Sequence, residues 1–149
     1  MKVLLAIDES ECSSAATRAV IRQFRPSHTH VYVMHADDWP QGMPPSMAFA
    51  EGPSATHSVL GLHKLRRTNA AALVESTADQ LREAGFTTAA VLREGDPSQA
   101  IVECAKEWHA DLIVLGSHGK RGIERMLGSV SDSVARRAPC SVEIVRSPN

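Results

Sequence analysis

Five short apolar runs alternate along this chain with segments whose apolar residues recur at helical spacing. The runs contain few polar residues, which is typical of strands that are covered on both faces. Strands that alternate with helices favour a parallel sheet with helices on both faces, so we expect an α/β fold. The predicted strands are Val3–Ile7, His30–Ala36, Phe86–Leu92, Leu112–Leu115 and Ser141–Arg146.

The helical segments carry their own start and stop signals. Pro26 ends the first, because proline cannot continue a helix, and Gly85 follows the second as a capping residue. Asp96 is predicted to cap the third, with Pro97 in its first position. The chain of 149 residues is long enough for one core, so we expect a single domain over residues 1–149. The predicted helices are Ser13–Phe24, Ser58–Ala84, Ser98–His109 and Val130–Ala138.

One segment, Asp37–His57, interrupts the alternation with several prolines and glycines and few periodic residues. Loops of this length in compact domains are usually either functional or disordered. A surface loop and a flap over a ligand both fit this composition.

The formal net charge of −1 argues against a general binder of nucleic acid or of anionic membranes, which would carry a basic excess. The three cysteines, Cys12, Cys104 and Cys140, form no Cys-x-x-Cys pair, which favours free thiols in a reducing compartment. The apolar run at the N-terminus stops at Asp8, too short for a signal peptide or a membrane span. We therefore expect a cytoplasmic protein.

The most specific stretch runs from Gly116 to Gly122 and continues at Gly128–Ser131. It follows a predicted strand and leads into a predicted helix. Glycines let a backbone approach a phosphate closely, and the first amides of a helix have no partner within the helix. The stretch is therefore either an anion site or a tight turn that binds nothing.

Three passages resemble the universal stress protein family over essentially the whole chain. They are Ala6–Ser10, Val33–Ala36, and the glycine stretch together with Ala138–Val142. The resemblance implies a doubly wound, Rossmann-like sheet of five parallel strands in the order 3-2-1-4-5. It also implies an ATP site and a homodimer that pairs through the last strand, Ser141–Arg146.

Site residues follow from the same resemblance. The carboxylate of Asp8 is expected near the ribose and a nucleotide-bound Mg²⁺, and the backbone of Ala36 is expected to read the adenine edge. His118 either donates to a phosphate or caps the turn, and Lys120 either pairs with a phosphate or is solvated. The hydroxyls of Ser129 and Ser131 are phosphate ligands, or Ser129 is a helix N-cap. The residues expected around the phosphates are Gly116, His118, Gly119, Lys120, Gly128, Ser129, Val130 and Ser131.

One departure from the family pattern leaves the function open. The family's ATP motif has nine residues between its second and third glycines, whereas Lys120–Leu127 is eight. The leading hypothesis is an ATP-binding stress-response or signalling module with slow hydrolysis at most, because no general base stands out. The alternatives are a dimeric interaction protein that binds no nucleotide and, less well supported, an enzyme that processes an adenylate.

Overall fold

The structure is a computed structural model that describes residues 1–38, 53–117 and 127–147, with residues 53–60 described by their backbone alone. A short 3₁₀ turn, Pro26–His28, joins the first helix to the second strand. In chain order the elements are β1 (Lys2–Ala6), α1 (Glu11–Gln23), β2 (His30–Asp37), α2 (Pro53–Glu83), β3 (Thr87–Glu94), α3 (Pro97–Trp108), β4 (Leu112–Gly116), α4 (Ser129–Arg137) and β5 (Ser141–Val145).

The five strands form one parallel sheet in the order β3-β2-β1-β4-β5. This confirms the predicted fold class and strand order. The chain winds outward from β1 to β3 and then returns to the other side of β1 as β4. The strand order therefore reverses between β1 and β4, which is the place where ligands bind in open α/β sheets.

Two apolar layers cover the sheet, because alternate side chains of each strand point to opposite faces. Val3 and Leu5 face α1 and α2, where Val20 and Leu81 are fully buried. Leu4 faces α3 and α4 in the second layer. The central strand is thus covered on both sides, as its apolar sequence predicts.

Helix α2 begins at Pro53, earlier than the predicted Ser58. Pro53 was assigned to the irregular segment, although proline suits the first helical position. Asp37, the first residue of that segment, instead ends β2. Residues 39–52 lie outside the described residues, so the choice between a surface loop and a flap stays open.

The predicted cap of α3 is confirmed, because the Asp96 side chain accepts a hydrogen bond from the Gln99 amide at 2.8 Å. Strand β5 forms one edge of the sheet, as predicted. Within the described ranges, no helix combines the length and the apolar character needed to cross a bilayer.

Candidate functional site

The carboxyl ends of β1, β2 and β4 meet at one edge of the sheet. Ala6 of β1 lies opposite Met34 of β2 and Leu115 of β4. Asp8 therefore follows β1 close to Ala36, the second-to-last residue of β2, and to Gly116, which ends β4. The structure brings these three predicted site residues to the same edge.

Asp8 is held in place by the start of α1. Its Oδ1 accepts hydrogen bonds from the backbone N–H of Ser10, at 3.0 Å, and from the Ser10 hydroxyl. The Asp8 N–H donates to Ser13 Oγ at 3.0 Å. Because Oδ1 is occupied, a ligand would contact the half-buried carboxylate through Oδ2.

The backbone of Ala36 faces an opening beyond the end of β1. Met34 C=O accepts from Ile7 N–H at 2.9 Å, and Asp37 C=O accepts from Gly95 N–H on the opposite side, at 3.1 Å. Backbone groups of a strand alternate between its two neighbours, so those of Ala36 point the same way as those of Met34. The pairing of β1 with β2 ends at Met34, which leaves Ala36 beyond the last paired residue of β1.

His35 is tied to the end of β1 through one ring nitrogen. Its Nδ1 lies 2.7 Å from the Ile7 carbonyl oxygen. A carbonyl oxygen can only accept, so this ring nitrogen carries the proton and donates. The contact fixes the orientation of the ring at the edge of the cavity described below.

The connection from β4 to α4 is fastened at both ends to one carbonyl group. Ser117 C=O accepts from Gly128 N–H at 2.8 Å and from the Ser131 hydroxyl at 2.7 Å. Ser131 is 1% exposed. Its hydroxyl is therefore turned into the protein, and only its backbone N–H remains available to an anion. The predicted residues His118, Gly119 and Lys120 lie outside the described residues.

Helix α4 begins without a side-chain cap. Gly128 is the N-cap, so the prediction that Ser129 caps this helix is wrong, and Ser129 is the first helical residue. No group in the described part of the chain accepts a hydrogen bond from the N–H of Ser129 or Val130. These amides lie at the positive end of the helix dipole, where an anion is stabilised.

Gly116 is constrained by packing. A Cβ atom added at this position would lie 2.8 Å from Cys12 Cβ and 2.9 Å from the Cys12 carbonyl carbon. The end of β4 therefore approaches the first turn of α1 more closely than any side chain would allow. This explains the glycine without reference to a phosphate.

A cavity of about 270 Å³ opens between this edge of the sheet and α2. Among the described residues, its charged lining side chains are three carboxylates and one guanidinium, and this set favours hydrogen-bond donors over phosphates. Asp37 and Arg66, which belong to this lining, were not predicted as site residues. The available signal was an acid directly after an apolar strand, as at Asp8. The lining residues are Asp8, Glu9, His35, Asp37, Arg66, Asn69, Ala70 and Leu73.

Neither a metal centre nor a reactive thiol is built into the described residues. No group of three or more His, Cys, Asp or Glu side chains is arranged there to hold a metal ion. Burial raises the pKa of the Cys104 and Cys140 thiols, so both are poor nucleophiles at neutral pH.

Comparison with known proteins agrees with this fold. The profile of the universal stress protein family matches residues 1–146. Universal stress protein Sll1388 of Synechocystis is 30% identical, over 97% of both chains. A universal stress protein solved in complex with cAMP is 26% identical, with a TM-score of 0.65 over 99% of this chain and 98% of the other. A family member from Arabidopsis thaliana solved with AMP bound is 21% identical, with a TM-score of 0.67 over 99% and 92%.

Proposed function

The chain belongs to the universal stress protein family, and we propose that it is an ATP-binding member acting as a nucleotide-dependent module in a stress response. The AMP and cAMP complexes of two structural neighbours support an adenine nucleotide as the ligand class. The ligand would bind where β1, β2 and β4 end, with hydrolysis slow at most.

The observation that carries this proposal is a separation of charge at that edge of the sheet. The uncapped amides of Ser129 and Val130 provide a positive helix end suited to phosphates. The cavity beside Asp8 is acidic and suited to the hydroxyl and amino groups of a nucleoside. Its volume of about 270 Å³ is close to the lower limit of roughly 300 Å³ for ligand pockets, which fits part of a nucleotide.

The shorter glycine loop does not argue strongly against this site. A missing residue would matter if it displaced the start of α4. Ser117 C=O, however, holds Gly128 N–H at 2.8 Å, so the first turn of α4 is tied to the end of β4. The position of the helix amides then depends little on how many residues lie between.

Mg²⁺ fits this site only as a companion of the nucleotide. Asp8 supplies a single carboxylate, and the described residues offer no fuller set of ligands. Mg²⁺ is commonly held by one or two carboxylates together with substrate phosphates and waters. Asp8 Oδ2 would serve as that carboxylate, and the ion would neutralise phosphate charge.

A homodimer through β5 and a cytoplasmic location complete the proposal. Strand β5 is an edge strand, and an exposed edge offers unpaired backbone groups to a second strand. The three cysteines have no disulfide partner within the described residues, which suits a reducing compartment.

Thermal unfolding with and without Mg-ATP tests the proposal. A ligand at 100 times its Kd stabilises the folded state by about 2.7 kcal/mol, and this raises the midpoint by roughly 5–10 °C. AMP and cAMP form parallel series, and inorganic triphosphate controls for phosphate binding alone. The absence of any shift at millimolar nucleotide would contradict the proposal.

The second candidate is a dimeric interaction protein that binds no nucleotide, and the eight-residue spacing of Lys120–Leu127 favours it. It predicts a purified dimer without adenine absorbance whose melting temperature does not respond to ATP.

A further inference from the structure

The buried carboxylate of Asp37 has one oxygen that no described residue satisfies. Asp37 is 3% exposed, and its Oδ1 accepts from the Arg66 guanidinium at 2.9 Å. Its Oδ2 is buried without a hydrogen-bond partner among the described residues. Buried polar atoms without partners are rare, because a buried group that forms no hydrogen bond loses its hydration without compensation. This oxygen therefore requires a hydrogen-bond donor.

Asp37 lies next to the place where a nucleoside would bind. It lines the same cavity as Asp8, and it directly follows Ala36, which lies beyond the last residue of β2 that pairs with β1. The salt bridge to Arg66 fixes the direction of the carboxylate, since the two partners come from β2 and α2. The carboxylate is therefore fixed at the lining of this cavity.

The chemistry of this oxygen restricts what it can bind. An ionised carboxylate accepts hydrogen bonds and donates none. Phosphates are disfavoured, because Asp8 and Glu9 line the cavity with Asp37, and among the described lining residues Arg66 alone carries a positive charge. A neutral group with an N–H can donate a hydrogen bond to this oxygen. A carbonyl oxygen in the same place would be repelled, because both atoms are hydrogen-bond acceptors.

We propose that Asp37 Oδ2 accepts a hydrogen bond from the exocyclic 6-amino group of adenine and so selects 6-aminopurine nucleotides over 6-oxopurine nucleotides. This inference rests on the proposed function, because it concerns the same crevice. Asp37 is then a specificity-determining residue, and Arg66 is a positioning residue that acts through it.

The wild-type protein with three nucleotides gives the first test. Calorimetric titration compares ATP, purine riboside triphosphate, which has hydrogen at position 6, and inosine triphosphate, which has oxygen there. Losing a hydrogen bond to a charged group should raise Kd at least about 10-fold for the hydrogen analogue. Inosine triphosphate should bind more weakly still, because its oxygen faces the carboxylate.

The second test changes the carboxylate. Asp37→Asn keeps the size of the side chain, and its amide can donate to a 6-oxo group as well as accept. The ratio of inosine triphosphate Kd to ATP Kd should therefore fall toward one. Asp38→Asn is the matched control, because it makes the same change at the exposed next residue and should leave the ratio unaltered.

The outcomes separate the inference from the proposed function. If ATP binds but the wild-type protein does not distinguish the analogues, a water molecule satisfies Asp37 and the inference is wrong, while the proposed function stands. An unchanged ratio in a folded Asp37→Asn variant overturns the inference in the same way. If none of the three nucleotides binds, the proposed function fails and the inference fails with it. The analogue series in the wild-type protein decides the matter even if Asp37→Asn does not fold.

Discussion

Gly116 and Cys12 pack so closely that a Cβ atom on Gly116 would lie 2.8 Å from Cys12 Cβ. The contact joins the end of β4 to the first turn of α1, and Cys12 is 2% exposed, so it has little room to move. A substitution at Gly116 would destabilise the fold, so a loss of ligand binding in such a variant would not identify a ligand contact.

We expect Gly116→Ala to destabilise the protein by about 1–3 kcal/mol, as overpacked cores do. Gly61→Ala is the control, because nothing lies within 4 Å of a Cβ at that position in α2. Replacing a helix-interior glycine there should stabilise by up to about 1 kcal/mol. Urea unfolding of both variants measures the difference. If Gly116→Ala were as stable as the wild-type protein, β4 and α1 would have to be farther apart than in this structure.

The amide of Ser129 can be removed without harming α4. Ser129 is the first helical residue, and proline is favoured there. Gly128 has ψ 156°, which suits a residue before proline. We expect Ser129→Pro to keep its stability but to bind ATP at least about 10-fold more weakly, since a hydrogen bond to a charged group is lost. Ser129→Ala, which keeps the amide, is the control in the same titration. Equal affinity of the two variants would place the phosphates elsewhere.

The outer edge of β5 can be blocked at Ile144. The Val145 carbonyl accepts from Ser117 N–H at 2.8 Å, so the backbone of Val145 faces β4 and that of Ile144 faces outward. Ile144→Pro removes one outward N–H, and we expect it to be monomeric. Ile144→Ala also shortens the side chain but keeps the N–H, so it should remain dimeric. Light scattering after size-exclusion chromatography measures the molar mass of each variant. A dimeric Ile144→Pro variant would refute pairing through β5.

The cap of α3 should make stability depend on pH. Hydrogen bonds from the Ser98 hydroxyl and the Gln99 amide lower the pKa of Asp96 in the folded protein. The ionised Asp96 therefore contributes fully to the free energy of unfolding above the ordinary aspartate pKa. This contribution is lost as the pH falls through the lower pKa of the folded state. We expect Asp96→Ala to cost about 1 kcal/mol at neutral pH, with the difference disappearing in acid. Asp96→Asn, which caps without titrating, should stay stable through that range. Urea unfolding at a series of pH values measures these differences. A loss of unfolding free energy in Asp96→Ala that stayed constant with pH would contradict the prediction.

The sequence predicted the elements well because their signals are local. Apolar runs identified the strands, and Asp96 with Pro97 identified the start of α3. The strand order came from the family resemblance, since spacing along a chain does not say which strands pair. The start of α2 was wrong because proline is common both in loops and in the first turn of a helix.

The site was harder to predict because its contacts are distant in sequence. Nothing local in the sequence marks Arg66, and only tertiary packing brings it to Asp37. The sequence pattern gives no sign that Gly116 packs against Cys12 of α1, more than a hundred residues earlier. Ser131 was assigned to phosphate, and its hydroxyl instead reaches the Ser117 carbonyl.

The carbonyl of Ser117 has a consequence for how relatives of this chain are identified. It joins Gly128 to the end of β4, so the two residues that flank positions 118–127 are linked directly. Because this hydrogen bond positions the start of α4 against β4, we expect α4 to keep its place when the number of residues between Ser117 and Gly128 changes. A motif that counts residues between glycines would therefore discard proteins whose binding geometry is intact, whereas a motif built on the two anchored ends would retain them.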